Sequence, residues 1–237
     1  MTQSTAKTYS RLKVFLATTA TTLAGMLATT GAANAASITH TQSIEWQPTS
    51  VDTFFILPKF DEALGTLESV TIDLIGFVKG NARTENMEAS ESTVTLDLAS
   101  KIGLILSEPD ITLVEVIPLV SEQVDLLSYD GVLDYAGSSG VTLPERTASD
   151  STSNTFMSGD SELSYFLGSG DQDLIFTALG TSTVTGAGNL LSGFQTDVAG
   201  EVTLTYEYES VPEPTSVIGL GLVGLMLLTQ TKRNRKS

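Results

Sequence analysis

The chain has 237 residues, of which 41% are hydrophobic, 12 are basic and 28 are acidic, for a formal net charge of −16. The length allows one sizeable domain or two small ones, and the charge excludes nucleic acid as a partner, because duplex affinity depends on basic side chains that neutralise phosphates. Residues 36–210 hold 27 acidic and five basic side chains, a net charge of −22, whereas residues 1–35 and 215–237 are basic, so we treat the chain as three segments.

Residues 1–35 have the order of a secretory signal peptide. A basic start that ends at Lys13 is followed by an uncharged stretch and then by the small residues Ala33 and Ala35, with Ala36 next. We therefore predict that signal peptidase cleaves after Ala35. An ordinary amphipathic N-terminal helix is the alternative. The chain has no Cys, so no disulfide stabilises the exported part.

The middle segment, residues 36–210, alternates apolar and polar residues with the period of two that is typical of strands. In one of these stretches Val202, Leu204, Tyr206 and Tyr208 share a face, while Glu and Thr residues occupy the other. Pro118 predicts an edge or a bend within its own stretch. The predicted strands are residues 69–78, 92–98, 111–120, 173–184 and 201–208.

No apolar stripe at helical spacing extends over more than three turns in this segment, and Gly, Ser and Thr are frequent between the strands. The segment is therefore predicted to be all-β, with about eight to ten strands in an antiparallel, jelly-roll-like β-sandwich. The longest predicted irregular stretch is residues 128–161. A loop of this length is often functional or mobile.

The last segment, residues 211–237, begins with Pro212, Glu213 and Pro214, continues with an apolar stretch at residues 217–229 and ends with a Lys/Arg cluster. This stretch is predicted to form a short hydrophobic helix, which at about 1.5 Å per residue would be roughly 20 Å long and marginal as a permanent membrane anchor. The basic cluster after it is expected to stay on the cytoplasmic side of the membrane. A C-terminal core helix is the alternative.

This order of motif, glycine-interrupted hydrophobic helix and basic cluster resembles the PEP-CTERM sorting signal of exosortase systems in Gram-negative bacteria and cyanobacteria. The resemblance covers about 26 residues and implies that an exosortase-type membrane enzyme recognises Pro212, Glu213 and Pro214 and processes the tail during delivery to the surface. These three residues are then recognition residues and not catalytic ones.

The middle segment has a set of glycine and aspartate turns and strand ends in residues 60–67, 129–140 and 166–170 and in the closing strand at Val202. In these residues it resembles the choice-of-anchor E domain, an exported domain that is found with alternative anchoring tails. The resemblance implies a surface protein and carries no enzymatic activity with it.

Residues that could perform catalysis are scarce. The chain has one His, His40, and no Cys, which excludes Cys/His nucleophilic catalysis and zinc sites with nitrogen or sulfur ligands. The block at residues 159–163 spells Gly-Asp-Ser-Glu-Leu, as in some serine esterases, but the accompanying α/β fold and downstream His are missing, so a loop is expected. No phosphate-binding or dinucleotide fingerprint is present.

The best metal candidates are Asp130, Asp134, Asp171 and Asp173, because all four lie in or beside predicted turns, where carboxylates can converge on calcium. None of them matches an EF-hand loop, and Asp is also an ordinary turn residue. The sequence predicts no cofactor and leaves structural calcium open.

The sequence therefore favours an exported, non-catalytic protein of the cell surface or extracellular matrix, held at least transiently in the membrane by its C-terminal helix. Its partners would be signal peptidase, an exosortase-type enzyme and exopolysaccharide, the last through divalent cations, because the acidic domain repels anionic chains. The alternative is a carbohydrate-binding module or weak glycoside hydrolase on the same sandwich. That alternative requires an aromatic platform, for which Trp46 is the main candidate.

Overall fold

The computed structural model describes residues 35–211, which form two antiparallel sheets. The helices of this part of the chain are two short 3-10 turns, Glu62–Leu64 and Ser161–Phe166, and none of its helices is long and apolar enough to cross a membrane. The strands are β1 Ala35–Pro48, β2 Val51–Pro58, β3 Gly65–Asn86, β4 Ser92–Leu106, β5 Ile111–Val116, β6 Leu119–Leu126, β7 Gly140–Thr142, β8 Arg146–Met157, β9 Asp171–Gly180, β10 Thr183–Gly186 and β11 Leu190–Ser210.

The five-stranded sheet is built on β3 and β11, which pair from Gly65 with Ser210 at one end to Asn86 with Leu190 at the other. Strand β1 pairs with the far side of β11, while β7 and β8 pair with β3. The six-stranded sheet has the order β10-β4-β9-β2, and β5 and β6 also pair with β4. The first and last strands of the domain are therefore neighbours.

The core lies between the sheets, where the apolar residues of the alternating strands face inward. Gly200 of β11 pairs with Gly76 of β3, and the missing side chains make room for residues of the opposite sheet. A Cβ atom at Gly200 would lie 2.6 Å from the ring of Phe176, which in turn stacks on Phe55 at 5.2 Å. Packing of this density is what gives a disulfide-free domain its stability.

The predicted strands at residues 69–78, 92–98 and 201–208 are confirmed within β3, β4 and β11. The predicted strand 111–120 is divided after Val116, and Pro118 stands between β5 and β6, which confirms the expected bend. The predicted strand 173–184 is divided between β9 and β10.

The prediction of an irregular stretch at residues 128–161 is wrong in part, because it contains β7 and the 12-residue strand β8. Strand β8 is rich in Ser and Thr on both faces, so it lacks the apolar alternation that predicts strands. It forms because it pairs with the outer edge of β3 from Met157 with Ser69 to Arg146 with Gly80. The strand structure of β8 therefore depends on its pairing with β3.

Candidate functional site

The two ends of the described chain leave the domain side by side. Ala35 pairs with Glu209 and Ala36 with Tyr208, while the backbone N–H of Val211 donates to the carbonyl of Leu64 at 3.1 Å. The predicted signal-peptidase residue Ala33 and the predicted recognition residues Pro212, Glu213 and Pro214 lie outside the described residues. The segments that precede and follow the sandwich therefore start from the same end of it.

The predicted calcium ligands Asp130 and Asp134 belong to turns. Their Oδ1 atoms accept backbone hydrogen bonds from Val132 and Ala136, each at 2.9 Å. An Asp that bonds the backbone two residues ahead stabilises an ordinary turn without a metal. Asp130 and Asp134 are therefore turn residues, which was the alternative to calcium ligands in the sequence analysis.

The other two predicted ligands, Asp171 and Asp173, lie at the opposite end of the sandwich. Asp171 pairs with Pro58, whose carbonyl accepts from Tyr206, and Tyr206 pairs with Val70 near the start of β3. The loop that contains Asp130 is attached to Glu85 near the end of β3. Glu85 lies fifteen residues after Val70, which is roughly 50 Å along the strand. The four residues do not come together, and no cluster of three or more metal-binding side chains occurs among residues 35–211.

The loop of residues 127–139, at the end of the sandwich away from the two tails, is fastened by the buried carboxylate of Glu85. Its Oε1 accepts from the hydroxyl of Ser139 at 2.6 Å, and its Oε2 accepts from the backbone N–H of Tyr135 at 2.7 Å. Glu85 and Ser139 are both fully buried. The neighbouring Asn86 donates to the carbonyl of Leu127 at 2.8 Å.

Sequence reasoning missed this buried carboxylate. Glu85 lies at the end of the alternating strand β3, in the run Thr84-Glu85-Asn86, and all three residues are buried. The signal that was available is the run of three polar residues at the end of an otherwise alternating strand, which indicates that their side chains bond a neighbouring loop.

The sole Trp lies on the outer face of the five-stranded sheet. Trp46 stands at the register shift of β1 between Ile44 and Gln47, and its indole meets the ring of Phe77 edge-on, with centroids 6.3 Å apart. Ala199 is the residue of β11 that pairs with Phe77. The ammonium of Lys79 lies 4.8 Å from the indole centroid, and Trp46 remains 39% exposed.

The same outer face continues as three cross-strand rows of mainly Ser and Thr, which we call the hydroxyl face. The residues between them along each strand, such as Ile72 and Leu204, are buried in the core, so these residues point outward. In the order β1, β11, β3, β8 the rows are Thr39, Thr205, Thr71, Thr155; then Thr41, Thr203, Asp73, Ser153; and then Ser43, Glu201, Ile75, Ser151.

Hydroxyl pairs within this face bond across the strands. Thr41 and Thr203 are 3.1 Å apart, and Thr71 and Thr155 are 2.9 Å apart. Such pairs restrict the side-chain rotamers, because one hydroxyl donates its hydrogen bond to the other. Each oxygen still has a lone pair that can accept a further hydrogen bond. The face is therefore an ordered array of polar groups.

The remaining residues that sequence analysis considered do not assemble into a catalytic group. His40 packs its ring against Tyr206 at a centroid distance of 6.0 Å, and burial lowers the pKa of His40. Ser161, in the esterase-like block, bonds the carboxylate of Glu162 at 3.0 Å within the short helix Ser161–Phe166. The block therefore runs from a turn into a short 3-10 helix, and its last residue, Leu163, is buried.

No family model matches the chain, and no curated protein matches it. Among solved structures, the chain is similar to one of infectious bursal disease virus Gx strain, with 15% identity, a TM-score of 0.13 and coverage of 90% of this chain and 54% of that one. For the Gt strain structure the identity is 12%, the TM-score 0.11 and the coverages 90% and 54%. The chain spans about half the length of these proteins. At TM-scores this low, the similarity supports no conclusion on function.

Proposed function

We propose that this chain is an exported, non-catalytic protein of the cell surface or extracellular matrix. In this proposal residues 1–35 are a signal peptide, residues 36–210 are the ectodomain and residues 211–237 are a PEP-CTERM tail that an exosortase-type enzyme recognises. The observation that supports it most is the pairing of Ala36 with Tyr208. The signal peptide and the tail are then attached to one end of the domain, so the opposite end points away from the membrane and both outer faces are accessible.

We further propose a jelly-roll topology for the sandwich. Taken in chain order, β1, β2, β3, β4, β5, β8, β9 and β11 are eight principal strands. One sheet has the order β1-β11-β3-β8, which are the first, eighth, third and sixth of these strands. The other sheet has the order β2-β9-β4-β5, which are the second, seventh, fourth and fifth. Two four-stranded sheets that alternate in this way support the jelly roll, an architecture of capsid and lectin domains.

The surface charge supports a role among other surface polymers. The net charge of −22 over residues 36–210 keeps copies of the domain apart in solution. Exopolysaccharide that is itself anionic would be held through divalent cations. Retention that is unchanged by a chelator would refute this bridging.

Intact-mass measurement on the protein recovered from its cells tests the proposed processing. We expect a mass that starts at Ala36 and ends near the Pro-Glu-Pro motif, and a mass matching residues 36–237 would contradict processing of the tail. Glu213→Gln should block processing, whereas Glu209→Gln, a matched change four residues upstream on β11, should leave it intact. Equal processing of the two variants would overturn the assigned recognition residues.

A second candidate function is a carbohydrate-binding module or weak glycoside hydrolase on the same sandwich. The observation that favours its binding form is the exposed indole of Trp46 beside Phe77 on the outer face. A glycan array read with wild type and Trp46→Ala tests it, since binding lost in the variant supports a lectin.

A further inference from the structure

The Trp46–Phe77 pair is an aromatic platform on the outer face of the five-stranded sheet. Phe77 pairs with Ala199 of β11, Trp46 lies at the register shift of β1, and Ala199 is small enough for the two rings to meet above β11. The Lys79 ammonium lies over the indole, 4.8 Å from its centroid, in a cation–π contact that favours this orientation of the ring. An exposed Trp that is held in one orientation presents a flat apolar surface to a ligand with little loss of conformational entropy.

The platform is continuous with the hydroxyl face. Cross-strand neighbours in a sheet are about 4.8 Å apart, and residues i and i+2 of a strand are about 6.7 Å apart. From Phe77 to Thr71 the face therefore extends roughly 20 Å along β3. This is long enough for several units of an extended sugar chain, with a stacking surface at one end and hydrogen-bonding groups along the rest.

The charges of the hydroxyl face select against anions. Its ionisable residues are Asp73 and Glu201, which are acceptors for ligand hydroxyls and repel carboxylates and sulfates. Charge-assisted bonds from hydroxyl donors to a carboxylate are among the stronger hydrogen bonds. A neutral polyol therefore fits this face, and a polyanion does not.

We infer that the outer face of the five-stranded sheet binds a neutral polysaccharide directly. One sugar ring stacks on Trp46. The hydroxyls of the following units donate hydrogen bonds to Asp73 and Glu201, and they both donate to and accept from Thr203 and its hydroxyl neighbours. This inference deepens the second candidate function, the carbohydrate-binding module, by naming the ligand charge and the surface, and it rests on the proposed export for the supply of the ligand. It differs from the cation-bridged mode in ligand charge and in the surface used.

The test is affinity gel electrophoresis of the full chain in gels that contain a neutral polysaccharide, namely a β-glucan, a galactomannan or starch. Alginate is the anionic comparison, and each gel is run with and without chelator. Trp46→Ala removes the platform, and Thr203→Arg places a bulky side chain in the middle of the hydroxyl face. Thr95→Arg is the matched control, because Thr95 is a half-buried Thr on the outer face of the other sheet, between Gln123 and Thr185.

We expect at least one neutral polysaccharide to retard the wild type with no effect of chelator, and Trp46→Ala and Thr203→Arg each to weaken the apparent affinity about tenfold. Thr95→Arg should bind as the wild type does. Absence of retardation by all three neutral polysaccharides, or equal binding by Thr203→Arg and Thr95→Arg, would overturn the inference. Neither result affects the proposed export, which the mass measurement tests separately.

Discussion

Glu85 is the residue whose removal should have the clearest effect on the loop of residues 127–139. Glu85→Ala leaves the Ser139 hydroxyl and the Tyr135 N–H without their acceptors at a fully buried position. An unsatisfied buried donor costs about 1–3 kcal/mol, and the relief of carboxylate desolvation returns part of that cost. We expect the free energy of unfolding to fall by about 2 kcal/mol, measured by urea denaturation, with faster hydrogen exchange at the Tyr135 amide.

Two further variants separate this role from a general effect of charge. Glu85→Gln keeps the shape and one acceptor oxygen, so its loss should be smaller, about 1 kcal/mol. Glu88→Ala removes a carboxylate at the same end that accepts a single bond, from Asn189 at 3.1 Å, in an exposed setting, and should cost less than about 1 kcal/mol. If Glu85→Ala unfolds at the wild-type urea concentration with an equally protected Tyr135 amide, the fastening role of Glu85 is refuted.

Three other variants test packing, hydrogen bonding and protonation. Gly200→Ala places a methyl 2.6 Å from the Phe176 ring and should cost about 1–3 kcal/mol in urea denaturation. Tyr206→Phe removes the 2.8 Å bond to the Pro58 carbonyl and should cost about 1 kcal/mol, measured in the same way; no loss would contradict it. Burial lowers the pKa of His40 in the folded state from its ordinary value of 6.5, so near and below that pH the unfolded chain binds more protons than the folded one. The free energy of unfolding should therefore fall as the pH is lowered from about 7.5 to 5.5, and His40→Gln should reduce this fall.

The core of the fold follows from the sequence where one face of a strand is apolar and the other is not. Val202 and Leu204 were predicted to share an inner face, and both are fully buried. Strand β8 could not be predicted in this way, because its inner residues include Thr152 and Asn154, and the latter bonds the carbonyl of Leu113 on the opposite sheet. A strand that depends on hydrogen bonds to its neighbours carries no periodic signal of its own.

The candidate binding surface depends on register, which local sequence does not contain. Trp46 and Phe77 are far apart in the chain and belong to strands that do not pair with each other, and they meet across Ala199 of the last strand. The hydroxyl face also needs all four strands in their observed registers, since a shift of one residue would turn its hydroxyls into the core. The Trp itself could be singled out from the sequence, but its neighbours could not.

The placement of the cations separates the two modes of polysaccharide binding. Lys101 and Arg146 form ion pairs with Glu115 and Glu122, Arg83 lies over the Tyr135 ring, and Lys79 lies over Trp46. Four of the five basic side chains of residues 36–210, all except Lys59, thus have partners within the domain. Little positive charge is left for a polyanion, which would be held mainly through added divalent cations.

Binding of a neutral chain to the hydroxyl face forms no ion pair and should therefore be insensitive to salt. Cation-bridged binding of alginate should instead weaken as salt screens the charges. Affinity electrophoresis of the wild type at low and high NaCl, with each polysaccharide in turn, measures both. If the neutral polysaccharide loses affinity with salt as steeply as alginate does, then charges outside the hydroxyl face carry the binding, and the stacking and hydroxyl contacts proposed for Trp46 and Thr203 do not account for it.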